Sequence, residues 1–390
     1  MKRYCLKDVC EFYAGTGFPM EYQGNADGQY PFYKVGDISE NVLANHIHLQ
    51  KSRNYVDADV AAKLKGTIIP AGTVVFAKIG EALRLNRRAI TACDCLIDNN
   101  AMGIRANSTG LSPKYFFYFM KNLDMSRFAS ATTAPSVRKS ILENLQIKLP
   151  SYEEQETIAV KLDILHDLIV NRKRVLALLD ELVKSRFVEM FGDPVINDRQ
   201  FPVMKFSEIA SSRLGKMLDK KNQTGKCAFP YLANYNVQWF RFDLSSLNTM
   251  DFTEADRQEF ELRKGDLLVC EGGEVGRCAI WNNELEHCYF QKALHRVRCD
   301  TSVILPEYLA FTFLLHSKYN GFEDAISGVS TIAHLPGDRL KKLQVIVPPL
   351  PLQQKFAAFV HQVDAAKAAA RREMAALETL RGKMMQEFFG

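Results

Sequence analysis

The chain repeats itself at long range. Asn144-Leu145-Gln146-Ile147-Lys148-Leu149-Pro150 precedes a helical pattern that closes on Glu189-Met190-Phe191-Gly192. Lys342-Leu343-Gln344-Val345-Ile346-Val347-Pro348 precedes a second one, closing on Glu387-Phe388-Phe389-Gly390. From Leu145 to Leu343, and from Glu189 to Glu387, the offset is 198. Solenoid units recur every 20–50 residues or so, so a repeat this long is a duplicated half-protein. Each half is a globular domain followed by a long helix. The expected segments are 1–150 (first domain), 151–193 (central helix), 194–348 (second domain) and 349–390 (C-terminal helix).

The first helix is expected from about Glu153 to Met190. Its apolar positions step by four and three: Ile158, Leu162, Leu165, Ile169, then Arg172, then Leu176, Leu179, Val183, then Arg186 and Met190. The second, from about Leu352 to Phe389, gives Phe356, Val360, Val363, Lys367, Ala370, Met374, Leu377, Arg381, Met384 and Phe388. Each position of the second set is the first plus 198, and the spacing is that of a coiled-coil seam. Such a helix overshoots one domain, so the two are expected to pair with each other, antiparallel, with the globular domains at opposite ends of a rod. Acidic Glu153-Glu154 suits a helix N-terminus, and Gly192 and Gly390 act as stops.

The globular parts match only at landmarks. Gly72-Thr73-Val74-Val75-Phe76 parallels Gly265-Asp266-Leu267-Leu268-Val269, each feeding a glycine turn (Ile79-Gly80-Glu81 and Glu271-Gly272-Gly273-Glu274). Pro113 and Pro306 each open a helix. Short β-rich runs lie between. The fold class is α+β: two mixed α/β domains joined by two long antiparallel coiled-coil helices, with a pseudo-two-fold repeat.

The chain excludes several chemistries. No Gly-Lys-Ser/Thr loop occurs, and no Asn-Pro-Pro-aromatic stretch. Phe12-Tyr13-Ala14-Gly15-Thr16-Gly17 reads as a loop, not a methyl-donor site. Cys93-Asp94-Cys95 has the wrong spacing for zinc, and His287, Cys288, His295 and Cys299 are loosely spaced. No catalytic or metal-ligating set emerges. The nine cysteines show no framework spacing, no apolar run spans a membrane, and a cytoplasmic location is expected.

Charge is uneven. Residues 1–150 carry 19 Lys and Arg against 13 Asp and Glu, whereas residues 151–193 carry 6 against 9. A cluster from Arg213 to Lys226 contains Lys216, Lys220 and Lys221, in a mobile-looking loop suited to phosphate. Next come Tyr235, Asn236, Gln238, Trp239 and Arg241, with amides able to read base edges. In the first domain Lys78, Arg84, Arg87 and Arg88 sit at the analogous glycine turn. Beyond the seam, Leu168, Val175, Leu182 and Phe187 on the first helix, and Phe359, Leu380 and Phe389 on the second, form an apolar flank expected to dock partners.

These residues resemble the specificity (S) subunit of type I restriction–modification systems over essentially the whole chain. The most telling stretches are Leu214 to Lys221, Tyr231 to Asp243, and Gly265 to Glu274 with Gly276-Arg277-Cys278-Ala279-Ile280-Trp281. Tyr30-Pro31-Phe32-Tyr33-Lys34-Val35-Gly36-Asp37 looks like the first-domain counterpart. The resemblance adds Lys34 and Arg277 to the candidate contacts. It implies a non-catalytic reader of double-stranded DNA, with two target recognition domains each reading one half of a split target and the helices setting the gap. It also implies two methyltransferase (M) subunits, with motor-nuclease (R) subunits able to join. Cofactors are expected on those partners (adenosylmethionine, ATP and Mg) and none on this chain. Two other classes are open on the residues alone: a self-contained DNA-modifying enzyme, which would bind adenosylmethionine by itself, and a coiled-coil scaffold that binds only protein.

Overall fold

The computed structural model describes residues 2–107, 110–130, 133–219, 223–326 and 333–390. The chain divides into two units, Met1–Arg174 with Arg371–Gly390, and Val175–Ala370. Both long helices are shared between them.

The strands of the first unit are β1 (Lys2–Cys5), β2 (Cys10–Ala14), β3 (Tyr30–Tyr33), β4 (His48–Leu49), β5 (Tyr55–Val56), β6 (Val74–Ala77), β7 (Arg88–Thr91), β8 (Leu96–Ile97), β9 (Ala101–Ala106) and β10 (Gln146–Leu149). One sheet has the order β2-β9-β6-β7-β4 and another β5-β3-β8, while β1 pairs antiparallel with β10. The apolar run Val74–Ala77 lies inside the larger sheet and is buried throughout, as a short run of this kind requires.

The second unit contains β11 (Val203–Lys205), β12 (Ala210–Leu214), β13 (Ala228–Leu232), β14 (Val237–Gln238), β15 (Arg241–Phe242), β16 (Asn248–Asp251), β17 (Leu267–Cys270), β18 (Cys278–Ile280), β19 (Tyr289–Phe290), β20 (Leu294–Cys299) and β21 (Gln344–Ile346). Its sheets run β12-β20-β17-β18 and β16-β13-β19, with β11 on β21. Strand for strand this is the order of the first unit. Even the one parallel pairing of the three-stranded sheet recurs, β3 with β8 and β13 with β19. The β14–β15 hairpin belongs to the second unit and β4 to the first, so the scaffold is kept and the additions differ.

The Pro-initiated helices are Pro113–Asn122 and Pro306–Lys318. Ser112 caps the former by accepting from Tyr115 N. Tyr115 donates its hydroxyl to Lys148 O at 3.0 Å, and Tyr308 donates to Ile346 O at 2.9 Å. Each tyrosine thereby ties its helix to the last strand of its domain.

The long helices are Tyr152–Phe191 and Leu350–Phe389, each of 40 residues. Ser151 and Glu154 form a reciprocal cap at the first start, and Gly192 ends that helix at φ 73°. Leu162, Leu165, Ile169 and Val183 are buried on the first, and Phe356, Val360, Val363 and Ala370 on the second. The pairing is antiparallel within each unit. In the first, Arg172 pairs with Glu373 at 2.8 Å, while Ile158 and Met384 join one cluster. In the second, Asp180 pairs with Lys367 at 2.8 Å and the rings of Phe187 and Phe356 are 5.4 Å apart.

The seam does more than join helices. Leu162 shares a core with Leu6, Tyr115 and Ile147, and Val183 shares one with Phe206, Tyr308 and Val345. Each helix end packs on a Pro-initiated helix. The Phe389 ring lies 5.0 Å from Tyr115, and Phe191 lies 4.8 Å from Tyr308. Phe187, expected on the exposed flank, is fully buried among Phe191, Tyr308, Phe311 and Phe356. Its position off the seam faces the globular core rather than solvent. Phe359 is half-buried beneath the Arg186 guanidinium, and Phe389 is half-buried too. Val175 is half-buried, whereas Leu168, Leu182 and Leu380 are exposed. Among the described residues no helix is long and apolar enough to cross a membrane.

Candidate nucleic-acid interface

In the first unit the glycine turn follows β6. Gly80 takes φ 74° and its N–H bonds Pro135 O at 2.8 Å, while Val137 N bonds Lys78 O at 2.9 Å. The segment Pro135–Val137 therefore closes over the turn. Asn86, at φ 54°, donates to Leu123 O and accepts from Met125 N, so the Asp124–Phe128 region is brought alongside. These bonds gather Lys78, Arg84, Arg87, Arg127 and Arg138. Arg84 pairs with Glu81 at 3.1 Å and Arg127 with Asp124 at 3.6 Å. Lys78, Arg87 and Arg138 form no ion pair among the described residues. Sequence spacing does not single out Arg127 and Arg138, because only long-range backbone bonds bring them here.

Arg88 does not belong to that surface. It is buried, and its guanidinium donates to Asn86 O, Asn86 Oδ1 and Leu123 O at 2.7–2.8 Å. Burial lowers its pKa to about 10. It holds the turn's base from inside, where a phosphate cannot reach. Lys34 is half-buried, and its ammonium donates to Gln23 Oε1 at 2.8 Å.

The second unit closes the equivalent turn with backbone bonds too, and adds side chains to them. Leu335 N bonds Glu271 O at 2.7 Å, and Gly272 bridges His334. Asn234 donates to Gly272 O at 2.9 Å, Arg277 donates to Asn234 O at 3.0 Å, and the Trp239 indole donates to Glu274 at 2.6 Å. The Tyr231–Arg241 segment is thus locked to the glycine turn. Tyr235 stands 49% exposed, its hydroxyl accepting from Asn248 at 2.9 Å. Gln238 donates to Tyr235 O at 2.9 Å. Arg241 is exposed and forms no ion pair among the described residues.

Several expected contacts are engaged within the domain itself. Asn236 is buried: its Oδ1 accepts from Ala233 N and its Nδ2 donates to Asp243 O and Ser246 O, all within 3.0 Å. Both ends of the amide are engaged by the loop itself. Lys216 donates to Asp251 O and Asp256 Oδ2, both at 2.6 Å. Burial pushes the Asp256 carboxyl up, but hydrogen bonds from Lys216 and Thr253 outweigh it and hold the group low. Arg213 pairs with Glu259 and lies over the Phe260 ring. Arg277 is mostly buried against Asn234 and Glu274. Lys216 and Arg277 are thus neutralised largely within the domain, while Arg213 is paired at the surface. Lys220 and Lys221 lie outside the described residues.

Comparison with known proteins agrees with this architecture. The type I restriction modification DNA specificity domain matches the chain twice, over residues 1–179 and 199–379. The type I restriction enzyme MjaIX specificity subunit of Methanocaldococcus jannaschii is 22% identical over 409 residues, covering 97% of this chain and 90% of its own length. The MjaVIII specificity subunit of the same organism is 24% identical over 406 residues, with the same coverage, 97% and 90%. The crystal structure of the S subunit of a type I restriction-modification system from M. genitalium aligns with a TM-score of 0.58 at 15% identity, over 100% of this chain and 96% of that one. A chain from a structure of type I R-M complex assembly gives 0.60 at 18%, over 100% and 97%. At those identities the solved structures establish a shared fold. The two family matches together span most of the sequence, and the chain belongs to the type I restriction modification DNA specificity family.

Proposed function

We propose that the chain is the DNA-reading subunit of a type I restriction–modification complex and carries no catalysis of its own. Residues 1–150 and 194–348 are the two recognition domains, each reading one half of a bipartite, asymmetric target. Residues 151–193 and 349–390 set the gap and carry two methyltransferase subunits, with motor-nuclease subunits as further members. Adenosylmethionine, ATP and Mg act on those partners, in the cytoplasm. The supporting observation is one strand order kept in both units while the loops differ. A shared scaffold with different loops suits two readers of different sequences.

The contacts we assign to DNA are Lys34, Lys78, Arg84, Arg87 and Arg138 in the first domain, and Tyr235, Gln238, Trp239 and Arg241 in the second, with Lys220 and Lys221. The test is exchange of residues 194–348 for another member's domain, followed by methylome sequencing of a host that also makes the methyltransferase. One half-site should change and the other persist. A change in both half-sites would sink independent reading. Methyl transfer by the isolated chain would favour a self-contained enzyme.

A further inference from the structure

The hairpin β14–β15 is closed by a two-residue turn, Trp239-Phe240, between Gln238 and Arg241. Phe240 takes φ 60°, a left-handed position that favours glycine or asparagine. Backbone strain of this kind persists only where the surroundings hold it in place. Phe240 is also 38% exposed, so burial alone does not explain an aromatic ring there.

The ring is stacked on Phe311, with centroids 4.2 Å apart and planes 18° from parallel. The Phe240 N–H donates to Cys278 O at 2.9 Å. Phe311 is buried in the Pro306–Lys318 helix, its ring 5.3 Å from Phe356 and 6.1 Å from Phe187, so the turn rests on the aromatic cluster of the long helices. Trp239 is tied separately, through its indole bond to Glu274 at the glycine turn. Strands of two residues have little stability of their own, and these two anchors fix the tilt of the hairpin. Gln238 and Arg241 stand directly opposite each other across it, so their side chains share one face. At the same point in the strand order the first unit has a helix, Val35–Leu43, and β4, so this anchor serves the second domain.

We infer that Phe240 is a positioning residue: its stacking on Phe311 holds the hairpin so that Gln238 and Arg241 meet the bases of one half-site in a single orientation. This rests on the assignment of those side chains to DNA. A reading group discriminates only when the groups behind it lock its orientation. Glycine at this position suits the backbone and loses the ring, which separates positioning from folding.

The test uses the full chain with its methyltransferase. Duplexes carry the target that methylome sequencing defines, with single base-pair changes in either half-site. Phe240→Gly should leave the urea midpoint near that of the unaltered chain. It should lower discrimination by about tenfold or more in the half-site read by the second domain, and retain it in the other. Phe240→Tyr keeps a ring to stack on Phe311 and should retain full discrimination. Unchanged discrimination in Phe240→Gly, whatever its midpoint, or an equal loss in both half-sites, would overturn the inference while Gln238→Ala and Arg241→Ala still relax the same half-site. If those two alanine variants change nothing, the DNA assignment itself falls, and the positioning role with it.

Discussion

Gln353 repeats what Gln155 does 198 positions earlier. Both side chains are fully buried. Gln155 accepts from Ser112 N at 2.9 Å and donates to Gly110 O and Pro150 O at 2.8 and 3.0 Å. Gln353 accepts from Leu305 N at 2.9 Å and donates to Val303 O and Pro348 O at 3.0 and 2.8 Å. One amide thus joins the start of each long helix, the strand that feeds it and the loop before the Pro-initiated helix. Replacing either with alanine leaves a buried N–H and two carbonyls without partners. Chemical denaturation should show a loss of about 2–4 kcal/mol for either variant. A loss below about 0.5 kcal/mol would mean that water replaces the amide.

The turn at Lys78 and the cluster at Lys216 should respond differently to neutralisation. Lys78→Ala, Arg87→Ala and Arg138→Ala remove cations that pair with nothing among the described residues. DNA affinity should fall for all sequences, and the slope of log K against log salt should flatten by roughly 0.9 for each phosphate no longer neutralised. Lys216→Met should leave that slope unchanged and lower thermal stability, because its ammonium satisfies Asp251 O and Asp256. A flattened slope for Lys216→Met would return it to the DNA surface.

What the sequence shows clearly is periodic. The apolar stepping of Ile158 to Met190 and Phe356 to Phe388 identifies the seam, because burial against a partner helix is written at regular intervals. The residues that turn out otherwise share a cause: residue type alone does not show what covers a side chain. Arg88 starts β7 and is buried with the rest of that strand. Asn236 is turned inward by its own loop. Phe187 is apolar off the seam, and a globular core rather than a partner explains it. The closure of Pro135–Val137 over the Lys78 turn joins residues more than fifty positions apart, through backbone bonds that no local pattern encodes.

Lys367 interrupts the second seam, and its counterpart in the first is Ile169. Its ammonium reaches Asp180 at 2.8 Å and Asp364 at 3.6 Å, with the lysine side chain only 10% exposed and the two carboxylates more than half exposed. Burying the lysine is costly, and its partners are largely screened by water. Lys367→Met should therefore match or exceed the stability of the unaltered chain. Asp180→Asn should cost about 1 kcal/mol, since Asp364 still faces the charge. A double-mutant cycle over Lys367 and Asp180 measures the coupling. A Lys367→Met variant that is markedly less stable would make the ion pair a net stabiliser.

Stability should decline in mildly acidic solution. Burial lowers the pKa of His295 below its ordinary 6.5, although its Nε2 lies 2.8 Å from Leu335 O. His316 is lowered likewise, with Nε2 3.2 Å from Pro194 O. Both therefore hold a proton less readily in the folded chain, and as pH falls through 6.5 the unfolded chain takes up more protons than the folded one. Their contribution is complete above that pH and is lost as pH falls beneath it, by up to about 1.4 kcal/mol per pH unit for each histidine. The Asp256 carboxyl is held below its ordinary value of 3.8 and so titrates under this window. Urea denaturation at pH 7.5 and about 5.5 should show a lower midpoint in acid, and His295→Gln should narrow the gap. Equal midpoints at both pH values would show that the two imidazoles accept protons freely within the fold.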